Sequence, residues 1–210
     1  MFWRRKRKEE SIRKDTRGYG QLYDTKKRLA SYWHQIDETR QAEPKKVLEI
    51  GVGSRFVSRY LADYYDLTTL DTSIELQPTV VGSVLSLPFK DNDFDVVLCC
   101  QVLEHLPFSS FGTALSELFR VSAKRVVLSL PDKRPFRPIQ LPRIGRYKLY
   151  NPFFKPAKHV FDGVHHWEVN AIGTELEKVL EIIQTIGFRV LRDYQVFENY
   201  HHHFFILERA

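Results

Sequence analysis

Gly51 and Gly53 stand in the run Glu49-Ile50-Gly51-Val52-Gly53-Ser54, between a short apolar segment and a stretch with helical spacing. Such a turn lets the main chain approach a ligand with no Cβ in the way. The helix start beyond it offers free N–H groups. Asp71 closes the next apolar segment, twenty residues past Gly51. A carboxylate at a strand end there can accept both hydroxyls of a ribose. The plain alternative is an ordinary strand-to-helix turn and a solvated aspartate. The candidate acids and bases are histidines: His105 after Glu104, His165 and His166 before Trp167, and the run His201-His202-His203. Only an acceptor that must lose a proton needs one of them. His105 also reads as a helix-start residue bonded to backbone, and His165-His166 as a structural junction. Alternate members of the triple histidine face opposite sides of a strand. No cysteine or carboxylate cluster has a spacing that favours a metal there, so the expectation is no metal.

These residues need elements to hold them. Leu29, Tyr32, Trp33 and Ile36 suggest a helix over Leu22 to Gln41, closed by Pro44. Lys46 to Ile50 reads as a strand, and Phe56, Val57, Tyr60, Leu61 and Tyr64 as a helix to about Tyr65. Leu67 to Leu70 is a second strand, and Val80-Val81 starts a short third. Asp95 to Cys100 is nearly all apolar, as expected of a parallel strand buried on both faces. A helix carrying Phe111, Ala114, Leu115, Leu118 and Phe119 follows, with Ser109 or Ser110 as its cap. Arg125 to Leu130 is the next strand, stopped by Pro131. Residues 132–168 hold five of the ten prolines and no clear periodicity, so an irregular insertion is predicted. Thr174 to Glu177 fits a capping box for a helix with Leu176, Val179, Leu180, Ile183 and Ile186 on one face. Gly187 fits its C-terminal cap. Phe188 to Tyr194 and His203 to Leu207 read as an antiparallel pair of strands. Alternation of this kind argues for an α/β fold with helices on both faces of a mostly parallel sheet. Its ligands bind at the carboxyl ends of the strands.

Val47-Leu48-Glu49-Ile50-Gly51-Val52-Gly53 resembles the first motif of class I S-adenosylmethionine-dependent methyltransferases. The stretch Val81 to Val97, with Leu87-Pro88-Phe89 and Asp91-Asn92-Asp93-Phe94-Asp95, continues into Val102-Leu103-Glu104-His105-Leu106. It resembles the region around the third and fourth strands of the small-molecule ("type 11") branch. The likeness covers roughly residues 45–131, and 170–210 by topology alone. It implies a Rossmann-like, mostly parallel seven-stranded sheet with an antiparallel last strand. It implies S-adenosyl-L-methionine as cofactor, with Gly51, Gly53 and Ser54 in the turn under its methionine part and Glu49 anchoring that turn. Asp71 would hold the ribose, with Thr72 beside the adenine and Ser83 and Val84 at its edge and ring. Gln101 and Val102 would lie near the methionine and the methyl, and His105 and His166 are the candidate bases. Two positions depart from the pattern. Arg55 replaces a third glycine, and Ser83 replaces an aspartate, a weaker acceptor for the adenine amine. Phe56 in place of the third glycine of G-x-G-x-x-G also argues against a dinucleotide.

Charge divides the chain. The net charge is +6; residues 1–28 and 133–166 carry +7 each, which leaves −8 for the rest. Residues 1–44 read as a basic N-terminal helical extension, and 45–210 as the methyltransferase domain, with 132–168 a basic, aromatic insertion on the substrate side. The acceptor is expected to be a small-molecule, glycan or lipid-precursor compound, small or anionic. The basic segments 4–28 and 133–158 could also meet nucleic acid or a membrane surface. An RNA methyltransferase, a non-catalytic cofactor-binding scaffold and an NAD-dependent oxidoreductase are the competing readings. Adjacent Cys99 and Cys100 read as buried thiols of a reducing compartment. With no membrane-length apolar run, a cytoplasmic protein is expected.

Overall fold

The computed structural model describes Tyr19 and residues 23–210. Most of the basic segment 4–28, and Leu22 as the expected helix start, lie outside these residues. Helix α1 is Lys26–Arg40, with Thr25 as its cap accepting from the Arg28 N–H. Strand β1 (Lys46–Ile50), helix α2 (Phe56–Ala62), β2 (Asp66–Asp71), β3 (Val80–Val81) and β4 (Phe94–Cys100) follow. Then come α3 (Phe111–Val121), β5 (Ser122–Pro131), β6 (Phe136–Leu141), β7 (Gly145–Tyr150), α4 (Leu176–Ile186), β8 (Phe188–Gln195) and β9 (His202–Arg209). A seven-stranded sheet runs in the order β3-β2-β1-β4-β5-β9-β8. Strands β1 to β5 pair in parallel, and β9 runs antiparallel to both β5 and β8. This is the expected Rossmann-like arrangement.

The strand residues alternate between two cores, as the period of two requires. Leu48, Ile50, Val97 and Cys99 face α3 and α4, beside Leu115, Leu118, Val179 and Ile183. Val47, Val96, Leu98 and Phe204 face α1 and α2, beside Ile36, Val57 and Leu61. Glu49 and Cys100 lie in phase with this second set. Each strand carries apolar groups to both faces, so the continuous apolar runs of β4 and β5 follow directly from a sandwiched parallel sheet.

Four local expectations need correction. In α1, Leu29 and Trp33 are exposed, and the buried face is largely polar: Ser31, Gln35, Glu38 and Thr39 beside Ile36. Partners make that burial affordable. Arg192 and the Tyr194 hydroxyl donate to Glu38, and Asn199 Nδ2 donates to Ser31 Oγ at 3.1 Å. Second, α2 stops at Ala62 rather than about Tyr65, where the chain tightens: the Asp63 and Tyr64 N–H groups bond three residues back, to Tyr60 O and Leu61 O. Third, no capping box forms at α4. Thr174 Oγ1 donates to Glu168 O at 2.6 Å, and Glu175 itself takes the cap position. Gly187 does close the helix, in the left-handed conformation. Fourth, the segment after β5 is not wholly irregular. Strands β6 and β7 form an antiparallel hairpin, Phe136 opposite Tyr150. Its Phe136 is buried, and Lys148 reaches back to the Gln195 carbonyl. Among the described residues, no helix is long and apolar enough to cross a membrane.

Candidate active site

The carboxyl ends of β1, β2 and β4 open into one cavity of about 300 Å³. Gly51 (φ +82°) and Gly53 (φ +48°) make the turn after β1. A Cβ on Gly51 would lie 2.4 Å from Val102 Cγ2, so the glycine is required by both conformation and space. Gly51 N–H bonds to Leu70 O at 2.8 Å, which ties the turn to β2. Asp71, 8% exposed, holds two turns at once: Oδ2 accepts from Val52 N–H at 3.1 Å and Oδ1 from Ser73 N–H at 2.9 Å.

Glu49, 5% exposed, lines the same cavity from below, and its Oε2 is buried with no hydrogen-bond partner. Burial pushes its pKa up to about 7, against the opposing influence of Ser58 and Arg55. The ten positions marked in the sequence, from Glu49, Gly51, Gly53 and Ser54 through Asp71, Thr72, Ser83 and Val84 to Gln101 and Val102, all line this space. Ser83 Oγ accepts from Leu85 N–H at 3.2 Å. Arg55 keeps the left-handed backbone of the missing glycine (φ +63°), and its Nη1 donates outward to Gln77 Oε1 at 3.1 Å. It does not enter the cavity.

Cys100 also reaches the cavity wall; its Sγ donates to Val127 O at 3.6 Å, and burial pushes its pKa up to about 12.

The roof comes from residues the sequence did not single out. Tyr19 and Tyr23 meet edge to face at 4.7 Å. The Arg28 guanidinium lies 3.8 Å from the Tyr23 ring centre and donates to its hydroxyl at 2.8 Å. Burial raises the Tyr23 pKa to about 12. Tyr32 stacks on Phe56 at 5.4 Å and donates to Asp24. The only available signal was tyrosines at positions 19, 23 and 32 ahead of the first strand, with nothing in their spacing to aim them at a site 30 residues on.

A second cavity, about 430 Å³, adjoins the first and shares Tyr19, Tyr23, Arg28, Gln101, His105 and His202 with it. His105 and His165 line it, 5.3 Å apart between ring centres. His165 bonds to Glu168, and that bond raises its pKa while lowering the partner's. His166 is the exception among the expected residues: it lines neither cavity. Its ring stacks on Phe161 at 4.5 Å, and its N–H donates to Glu104 O at 2.8 Å. His165, not His166, takes the cavity side. Trp167 pins the junction, donating to Leu106 O at 3.1 Å while packed against Phe108 and Phe111.

The three consecutive histidines divide as strand geometry demands. His202 forms cavity wall, and burial lowers its pKa to about 3, so it is neutral. His203, on the other side, lies between Asp132 at 2.7 Å and Asp193 at 3.0 Å. Burial opposes its charge, but the two carboxylates prevail and raise its pKa. His201 lies against Tyr200.

Parts of this chain are similar to known proteins. Residues 48–130 match the family described as the methyltransferase domain. An uncharacterized protein of Methanocaldococcus jannaschii is 35% identical over 85 residues, 37% of this chain and 36% of that protein. The match therefore spans about a third of that relative's length. Among solved structures, the chain resembles the Burkholderia thailandensis 1,6-didemethyltoxoflavin N1-methyltransferase, crystallised with S-adenosylhomocysteine. The identity is 17%, the TM-score 0.58, and the coverage 90% of this chain and 80% of that one. The magnesium protoporphyrin IX methyltransferase of Synechocystis PCC 6803, with bound S-adenosylmethionine, gives 17%, 0.58, 87% and 81% in the same order. The match at 48–130 falls on the seven-stranded sheet and its glycine turn, so this part of the chain is similar to the methyltransferase domain, and the fold is that of S-adenosylmethionine-dependent methyltransferases.

Proposed function

We propose that the chain methylates a small-molecule acceptor, with S-adenosylmethionine in the first cavity and the acceptor in the second. The observation that carries this reading is the continuity of the two spaces along Gln101 and His105. The first cavity suits a cationic nucleoside. Its floor is a buried carboxylate with an unpartnered oxygen, Glu49, its turn admits no Cβ at Gly51, and its wall carries the Asp71 carboxylate. When bound, the cofactor supplies an electrophilic methyl on a sulfonium. The chain's own residues orient the acceptor and exclude water. Tyr19 and Tyr23 cover the junction of the cavities, and both Tyr23 and His202 stay uncharged at neutral pH.

Arg28 and Lys27 line the second cavity and favour an anionic or oxygen-rich acceptor, such as a glycan or lipid precursor. Much of the basic segment is committed elsewhere. Arg134 lies over Tyr150, Arg146 pairs with Glu198 at 2.8 Å, and Lys148 bonds to Gln195. That internal use weighs against a nucleic-acid surface built from the hairpin.

Calorimetry with S-adenosylmethionine, S-adenosylhomocysteine and NAD tests the cofactor. The first two should bind and NAD should not. Asp71→Ala should weaken binding by about 1–3 kcal/mol, the range for hydrogen bonds to charged groups; an unchanged affinity would remove Asp71 from the site. Labelled methyl should then pass into the small-molecule fraction of a cell extract. Label in RNA, or no binding of the sulfonium compound, would overturn the reading.

A further inference from the structure

Glu104 is a buried carboxyl group that lines the second cavity but not the first. It sits in the 3₁₀ turn Leu103–His105 directly after β4, and it is 0% exposed. Both of its carboxylate oxygens are buried without a hydrogen-bond partner. Native interiors satisfy such groups with donors or with a cation, and the described residues supply neither here. What they do supply is two imidazoles. One ligand atom from each of Glu104, His105 and His165 lies within 4.8 Å of the other two.

The outer bonds of both rings favour ligation. His105 Nδ1 faces Val164 O at 3.0 Å, and a carbonyl only accepts, so Nδ1 carries the proton and Nε2 keeps its lone pair. His165 Nδ1 faces Glu168 Oε1 at 3.3 Å, which fixes the second ring in the same way. A carbonyl or carboxylate behind each histidine is the usual outer shell of a metal-binding imidazole. Three chain residues line the second cavity at this point, so further coordination positions open toward its contents, as in catalytic rather than structural metal sites.

We propose that Glu104, His105 and His165 bind a divalent transition-metal ion in the wall of the second cavity, where it holds an oxygen atom of the acceptor. One oxygen and two imidazole nitrogens suit zinc, manganese, iron or cobalt better than magnesium or calcium, which prefer all-oxygen shells. An ion there makes a coordinated hydroxyl more acidic, and the released proton leaves to solvent. The binding site stands on its own geometry; the identity of its ligand as the methyl acceptor rests on the function proposed above.

The test uses the full chain, stripped of metal with a chelator and titrated with Co²⁺. Visible d–d absorption should rise to one equivalent and vanish on adding chelator. Competing Zn²⁺ should bleach it. His105→Asn removes an exposed ligand and should weaken Co²⁺ binding about tenfold or more, on the scale of losing one partner of a metal site. Glu104→Gln should do the same, with a melting curve to show that it folds; His105→Asn decides the matter if it does not. His201→Asn, in the histidine run, should bind Co²⁺ as wild type does. Absent absorption at millimolar Co²⁺, equal binding in His105→Asn, or loss of binding in His201→Asn would overturn the site. S-adenosylmethionine titration of the same samples keeps the two ideas apart. Sulfonium binding without Co²⁺ binding sinks the metal alone, and the reverse sinks the proposed cofactor alone.

Discussion

Glu49→Gln should make the protein sturdier above neutral pH and poorer at holding its cofactor. Burial lifts the Glu49 pKa from 4.5 to about 7, with Oε2 left unpartnered. A carboxyl raised in this way keeps its proton in the fold at pH values where the unfolded chain has lost it. Between about pH 4.5 and 7 the folded state therefore binds more protons, and stability falls as pH rises. The full loss, about 3 kcal/mol, is in place above pH 7. Glutamine has the same shape and no charge to desolvate, so the variant escapes that loss. A chain of this size gains about 2–4 °C in melting temperature per kcal/mol. The variant should melt several degrees above wild type at pH 8.5 and converge with it near pH 4.5. Calorimetry should show the opposite sign: S-adenosylmethionine bound about tenfold or more weakly, since a charge-assisted contact is lost. Wild-type binding at pH 6 should also release protons, read from titrations in two buffers of different ionisation enthalpy. A variant that melts below wild type at pH 8.5, or binds the cofactor as tightly, would refute the reasoning.

Gly51→Ala places a methyl 2.4 Å from Val102 Cγ2 in a left-handed backbone; a cost of about 1–3 kcal/mol in stability and loss of cofactor binding should follow, by thermal melts and calorimetry. Arg55→Gly removes a side chain that points to Gln77, so cofactor affinity should stay within about threefold and stability should rise by about 1 kcal/mol; a large gain in affinity would mean that Arg55 obstructs the cavity. The raised pKa of His203, between Asp132 and Asp193, gives stability that is complete below pH 6.5 and lost as pH rises through the folded value. In a Glu49→Gln background the melting temperature should decline across that window, and His203→Gln should make the decline shallower; an unchanged slope would refute the contribution of His203.

The frame of the site was legible because its signals are local. The apolar runs of β1, β4 and β5 mark strands covered on both sides, and the glycines and Asp71 mark what lies at their ends. The hairpin was missed because its strands bury so little: in β6 only Phe136 is buried, so no period of two marks it, and Pro138 and the arginines read as loop. Helix α1 was read on a face of which only Tyr32 and Ile36 pack inward, because most of its buried positions are polar, and their partners Arg192, Tyr194 and Asn199 lie more than 150 residues away. Tyr23, Arg28 and His202 meet at the cavity for the same reason: tertiary proximity leaves no periodic trace. Glu104 did carry a trace, an acid inside the apolar run Val102 to Leu106, yet its solitude could be recognised only once every neighbour was known.

Cys100 carries a chemical consequence of its own. A sulfonium methyl donor is an alkylating reagent, and thiolates are the side chains most readily alkylated. With its pKa near 12, Cys100 exists as thiolate in only about one molecule in 10⁵ at pH 7. On the function proposed above, the chain would thereby keep a sulfur nucleophile in the wall of its methyl-donor pocket without alkylating it, and thiol-directed labels at neutral pH should pass it by.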